Sequence, residues 1–174
     1  MTNETPSPTA LGCLAALDQR IARDTDTERL SRWRLLRERL VGELVGDLGL
    51  IEAGTAPGFE LASTVVGSPP MTLDRERFLG IMQSSTAAGA MSWVDWDHLV
   101  LEGDVLMGDG RMHAVTGRAG PTATVAVTPL VIVLEFTADQ IGREVVWMNS
   151  AQPTTYDAEG VPTRDDLLAE LAGR

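Results

Sequence analysis

Among its 174 residues the chain has no lysine, a single cysteine, two histidines and one tyrosine. With only Cys13 available no intrachain disulfide can form, which fits a reducing compartment. The missing lysine leaves arginine as the only strong base, a bias that coding composition explains as well as function does. No apolar run approaches the ~20 residues a membrane helix needs. The opening Met1-Thr2-Asn3-Glu4-Thr5-Pro6 lacks the charged-then-apolar order of a signal peptide. A cytoplasmic location is therefore expected. There is no P-loop, no dinucleotide fingerprint and no Gly-x-Ser-x-Gly elbow, so NTPase, dehydrogenase and α/β-hydrolase chemistry find no support. Cationic surface is scarce too. The formal charge of −11 and pI near 4.5 repel phosphate backbones and anionic lipid, so neither nucleic acid nor membrane is an expected partner.

What is present is a globular composition, 44 % apolar, in a chain long enough for one domain with a sizeable core. Residues 1–8 read as a flexible lead. Thr9 can cap a helix whose apolar positions are Leu11, Leu14, Leu17 and Ile21. Cys13 falls in that pattern and reads as a small buried hydrophobe. After the polar turn Asp24–Thr27, a second helix carries Leu30, Trp33, Leu36, Leu40, Val41, Leu44, Val45 and Leu48 at spacings of three and four. Arg32, Arg34, Glu38 and Arg39 read as its solvated face. Gly49, Gly54, Pro57 and Gly58 end the helix, and Phe59 to Val66 reads as a strand. Thr72 is the expected cap of a third helix with Leu73, Phe78, Ile81 and Met82 inward.

From Met91 onward the pattern becomes a meander of strands. One face of the first carries Trp93, Asp95, Asp97, Leu99 and Leu101; the other carries Val94, Trp96, His98 and Val100. A turn or bulge is expected at Gly103-Asp104 and another at Gly108-Asp109-Gly110, and a turn at Asp139–Gly142. Strands are expected over Arg111–Thr116, in the apolar run after Pro121, and over Arg143–Ser150. Pro129 marks an edge segment or a bulge. The domain spans residues 9–151, and 152–174 form a tail whose Thr163-Arg164-Asp165-Asp166 opens a short helix.

Arg111 and His113 lie two apart on a strand and share a face. Inside a pocket, His113 could serve as general base, Arg111 could hold an oxyanion, and Asn149 could position water. The alternative is a solvated face beside a Gly-Asp-Gly turn. Asp95-Trp96-Asp97-His98 is the densest polar cluster. It reads either as a charged outer face or as a place where an inward His98 pairs with Glu102; two histidines and no spaced cysteines make a weak metal signal. Trp93, Trp147, Met82 and Met112, with His98, are the candidate ligand contacts. Core filling or a dimer interface would use the same aromatic and thioether side chains.

The order helix, helix, strand, helix, then meander resembles the nuclear transport factor 2-like superfamily, which includes ketosteroid isomerases, polyketide cyclases and limonene-epoxide hydrolases. The likeness rests on Thr72–Met82, His98–Gly117 and Leu130–Ser150. It implies an α+β conical barrel, a strongly curved antiparallel or mixed sheet wrapped around N-terminal helices. It also implies an apolar pocket, no cofactor and a homodimer through the outer sheet face. The isomerase aspartates have no counterpart here: Leu61–Val66 contains no acid, and Ile132 stands where the second would fall. The epoxide-hydrolase pattern, Arg-x-Asp on a middle strand and an Asp two residues after a Trp, corresponds to Arg111-x-His113 and Trp147-Met148-Asn149, with both carboxylates replaced. The resemblance implies cofactor-independent acid–base chemistry on a small, largely apolar molecule. A non-catalytic binding or assembly module on the same cone remains open, as does a subunit completed by a partner chain.

Overall fold

A computed structural model describes residues 11–116, 124–150, 154–157 and 161–173. Thr9 and residues 1–8 lie outside the described residues. The elements run α1 (Gly12–Arg23), α2 (Thr27–Val45), α3 (Leu48–Ala53), β1 (Thr55–Val65), β2 (Met71–Asp74), α4 (Arg75–Ala87), β3 (Met91–Glu102), β4 (Val105–Thr116), β5 (Thr124–Thr137), β6 (Gln140–Met148), β7 (Thr154–Asp157) and α5 (Arg164–Ala172).

Local chemistry sets most boundaries. The Asp26 side chain accepts from Arg29 N to start α2, and Gly46, at φ +69°, closes it in the left-handed region. Asp47 accepts from Gly49 N and Leu50 N and so begins α3, a turn of helix in a stretch whose glycines suggested only a break. Asp74, two residues after the expected Thr72, caps α4 by accepting from Arg77 N. With that start, Phe78 is buried and Met82 half-buried, while Ile81 faces solvent. Thr163 and Asp166 form a reciprocal capping box at α5.

The strands order as β2-β1-β6-β5-β4-β3, with β7 paired to β5 beyond the end of β6. All pairings are antiparallel except β1 with β6. Among the described residues β2 and β3 are the two ends of this strand order, so the expected cone is open there and not a closed barrel. Register shifts in the β3–β4 and β5–β6 ladders are bulges that bend the sheet.

The β3 bulge falls between Trp96 and His98. It inserts one residue, so the inward series runs Ser92, Val94, Trp96, then Leu99 and Leu101. The simple alternation expected from sequence fails there. Gly108 and Gly110 lie within β4 and form no turn. They face the bulge, and a Cβ at Gly110 would stand 2.1 Å from Asp95 O, one at Gly108 2.8 Å from Leu99.

Pro129 lies in an interior strand. Its carbonyl accepts from Asn149 N, so its hydrogen-less nitrogen faces the same side of β5. There β5 passes from its last β6 partner, Met148 opposite Leu130, to its first β7 partner, Thr154 opposite Val127. The donor that Pro129 lacks falls at the end of the β6 ladder, where the pairing passes on to β7.

The core between helices and sheet contains Leu14, Leu17, Leu44, Ile51, Leu106, Leu134, Ile141 and Leu167, all essentially inaccessible. Each such side chain contributes roughly 1.5–3 kcal/mol of burial. Gly110→Ala should destabilise the protein by about 3 kcal/mol through backbone overpacking. Gly80→Ala, in mid-α4 with open space around its Cβ position, should stabilise by about 0.5–1 kcal/mol. Urea unfolding of the two variants checks both signs.

Candidate active site

Leu36, Arg39, Leu40 and Glu43 recur at helical spacing along α2 and face the inner side of the sheet. Opposite them stand Leu61 and Ser63 of β1, Ser92, Val94 and Trp96 of β3, Met112 of β4, Leu130, Ile132 and Leu134 of β5, and Glu144, Val146 and Met148 of β6. They enclose a cavity of ≈ 190 Å³. An apolar cavity of about 150 Å³ accepts benzene, so this one suits a molecule of monocyclic size.

Its polar centre is an ion array. Arg39, 3 % exposed, donates from Nε to Glu43 Oε1 at 3.0 Å and from Nη2 to Glu144 Oε2 at 2.6 Å. Its guanidinium carbon lies 4.9 Å from the Phe78 ring centre and 5.4 Å from that of Phe59. Two carboxylates and two aromatic faces thus fix one cation. Desolvation opposes the charge on Arg39, but Glu144 and Glu43 together outweigh it and hold the guanidinium protonated. Burial raises the Glu43 carboxyl above its ordinary value, and the charge of Glu144 adds to this; Arg39 pulls the other way and loses. The Glu43 side chain retains 22 % of its exposure, so proton exchange has a route.

Of the residues singled out from sequence, Met112 and Trp93 reach the cavity wall and the others lie elsewhere. Met112 lines the cavity; its neighbour His113 therefore points to the other side of β4. His113 is 3 % exposed, with Nε2 2.9 Å from Asp95 Oδ2 and its ring stacked on Trp93 at 5.1 Å and 5°. Trp93 touches the cavity wall while packing on His113. Arg111 is exposed and bonds Asp97 at 3.3 Å. Asn149 is exposed just past the end of β6. His113, Arg111 and Asn149 are absent from the cavity wall. His98 faces outward, its side chain 78 % exposed and 3.0 Å from Asp109, so the inward pairing with Glu102 does not form. Trp147 is 45 % exposed on the outer face, and Met82 packs against the core. Cys13 is buried and its thiol is pushed up to about 12, chiefly by desolvation. No group of three or more metal-ligating side chains occurs among the described residues.

Arg39, expected on the solvated face of α2, is instead buried, and Glu43 and Glu144 were not singled out, because a charged residue beside an apolar stripe usually meets solvent. The available signal was spacing. Arg39 and Glu43 fall three and seven residues after Leu36, on the same face, and Glu144 alternates with Val146 and Met148.

The architecture is an open α+β cone with a small internal cavity under α2. No family model matches the sequence, and no curated protein does. Solved structures do match. A protein assigned as a SnoaL-like polyketide cyclase from Shewanella putrefaciens CN-32 aligns over 91 % of this chain and 94 % of its own, at TM-score 0.61 and 10 % identity. An LEH-like epoxide hydrolase of M. tuberculosis aligns over 81 % and 95 %, at 0.53 and 13 %. A protein assigned as a polyketide cyclase from Xanthomonas campestris aligns over 70 % and 92 %, at 0.52 and 18 %. The fold is nuclear transport factor 2-like, as the sequence resemblance indicated, carried by a divergent sequence.

Removing one member of the array isolates the others. Arg39→Met should cost about 3–5 kcal/mol by leaving two carboxylates without their cation, and the triple change R39M/E43Q/E144Q should recover much of that loss in urea unfolding. Glu43→Gln should act with pH. Because folding raises the Glu43 pKa, its contribution is most favourable below the ordinary carboxylate range and is lost as pH rises through the folded value. The variant should therefore gain on wild type at pH 7–8 and lose that advantage near pH 4, measured by thermal unfolding across pH.

Proposed function

We propose that this protein binds a small, largely apolar molecule in the cavity beneath α2 and performs cofactor-independent acid–base chemistry on it. The observation that carries this reading is the Glu43–Arg39–Glu144 array, the charged centre of an otherwise mostly apolar wall. Two carboxyls in different environments suit acid–base work: one is pinned by a 2.6 Å charge-assisted bond, the other is raised by burial. Glu43 is assigned the proton-carrying role, since burial raises its carboxyl above the ordinary value and so strengthens it as a base. Arg39 and Glu144 position it. Ser63 and Ser92 are placed on the wall to hydrogen-bond a ligand oxygen. The epoxide-hydrolase pattern uses an arginine and two carboxylates. The same residue types occur here, drawn from α2 and β6 in place of the positions around Arg111 and Asn149.

The reaction class that fits is proton abstraction beside a carbonyl, or opening of an epoxide by an activated water, on a substrate of monocyclic size. Cyclohexene oxide, limonene oxide and a cyclic β,γ-enone are suitable probes. Wild type should turn over one of them. Glu43→Gln should bind it with a dissociation constant within about threefold of wild type and turn it over roughly 10²–10⁴-fold more slowly. Equal turnover by the variant would refute the assignment. Saturable binding without turnover by either protein would favour a binding module.

A second copy of the chain is the proposed partner of the outer sheet face. Across β3 to β6, Val100, Met107, Val133 and Val145 lie in register, and Val131 and Trp147 extend the patch. Val100, Met107, Val131 and Trp147 are 60, 54, 43 and 45 % exposed. M107E/W147E should halve the mass that light scattering gives for wild type.

A further inference from the structure

Near the turn between α1 and α2 lies an open groove of ≈ 650 Å³, none of whose lining residues lines the cavity described above. Its floor is the Trp33 indole with Leu99 and Leu101; its rim carries Arg20, Arg23 and Arg29. The one carboxylate among the described lining residues, Asp24, is already committed. It accepts Arg29 Nε and Nη2, each at 2.9 Å, Asp26 N at 3.0 Å and Trp33 Nε1 at 3.3 Å. These donors, Arg29 foremost, hold the Asp24 carboxyl well below the usual range, so it stays ionised. Arg29 is thereby neutralised, and Asp24 has little left to offer the other two guanidiniums.

Arg20 and Arg23 are three apart on α1 and share a face. The Arg20 guanidinium carbon lies 5.8 Å from the centre of the Trp33 ring, within reach of a cation–π contact. Neither Arg20 nor Arg23 makes an ion pair among the described residues. Both sit in the last turn of α1, where the helix dipole favours a cation. That accounts for a positive residue, but not for two open guanidiniums beside an aromatic floor in a chain of net charge −11. Three guanidinium charges against one carboxylate leave the groove with two positive charges.

We infer that this groove binds a phosphate monoester with an apolar body: the dianionic head between Arg20 and Arg23, the body against Trp33, Leu99 and Leu101. Fork-shaped guanidiniums match phosphate oxygens two at a time, and a dianion balances the groove's charge.

Isothermal titration of the full-length protein with phenyl phosphate tests the inference, with inorganic phosphate and phenylacetate as comparison ligands. Phenyl phosphate should bind saturably at one site per chain. Inorganic phosphate, lacking the body, and phenylacetate, lacking the second charge, should each bind at least tenfold more weakly. R20Q/R23Q, with wild-type circular dichroism, should weaken phenyl phosphate at least tenfold. Arg23→Gln alone should give an intermediate loss, and Glu43→Gln none, which separates this groove from the cavity. No saturable binding of phenyl phosphate, unchanged affinity in R20Q/R23Q, or equal affinity for phenyl phosphate and inorganic phosphate would each overturn it.

Discussion

Arg39 is the constraint around which the rest is arranged. A guanidinium removed from water must be compensated, and compensation here comes from four elements at once: Glu43 of α2 itself, Glu144 of β6, Phe59 of β1 and Phe78 of α4. Satisfying one charge therefore fixes how α2 lies over the sheet and how α4 closes against β1. The same requirement sets the chemistry of the cavity. Because the array must be sheltered to be strong, it sits where small ligands are also sheltered, and a carboxyl there is raised by the burial that stabilises its neighbour's pairing.

The layout was legible because it rests on periodicity. Trp33, Leu36, Leu40 and Leu44 announce α2, and the strand patterns after Met91 announce a meander; the α+β class follows from them, and the resemblance to the nuclear transport factor 2-like superfamily supplied the cone. What periodicity misses is the single-residue insertion. The bulge at Asp97 moves Leu99 and Leu101 onto the face of Trp96, and the glycines that permit it, Gly108 and Gly110, read in sequence as a turn or bulge of their own strand. Their small size serves a close backbone approach, a tertiary fact with no local signature.

The candidate site was less legible for a related reason. Arg111 and His113 do share a face, but the face is the one turned from the cavity, and nothing in a two-residue repeat says which side of a sheet is concave. Both also have an acidic partner on β3, Asp97 for Arg111 and Asp95 for His113. Met112, the residue between them, is the one that reaches the cavity.

The parallel pairing of β1 with β6 has a consequence for how the chain reaches its native state. The strand that begins at Thr55 hydrogen-bonds, along one side, to a strand that begins at Gln140, and the Arg39–Glu144 bond joins residues 105 apart. During synthesis β1 emerges with only the short β2 beside it, and Arg39 emerges without Glu144. Neither is satisfied until nearly the whole domain has left the ribosome. Contacts of such long sequence separation slow folding, because loop closure is paid before the pairing returns anything. In the interval the nascent chain carries an open strand edge and a cation still lacking its β6 partner, and the negative charge spread over its surface helps keep such intermediates apart.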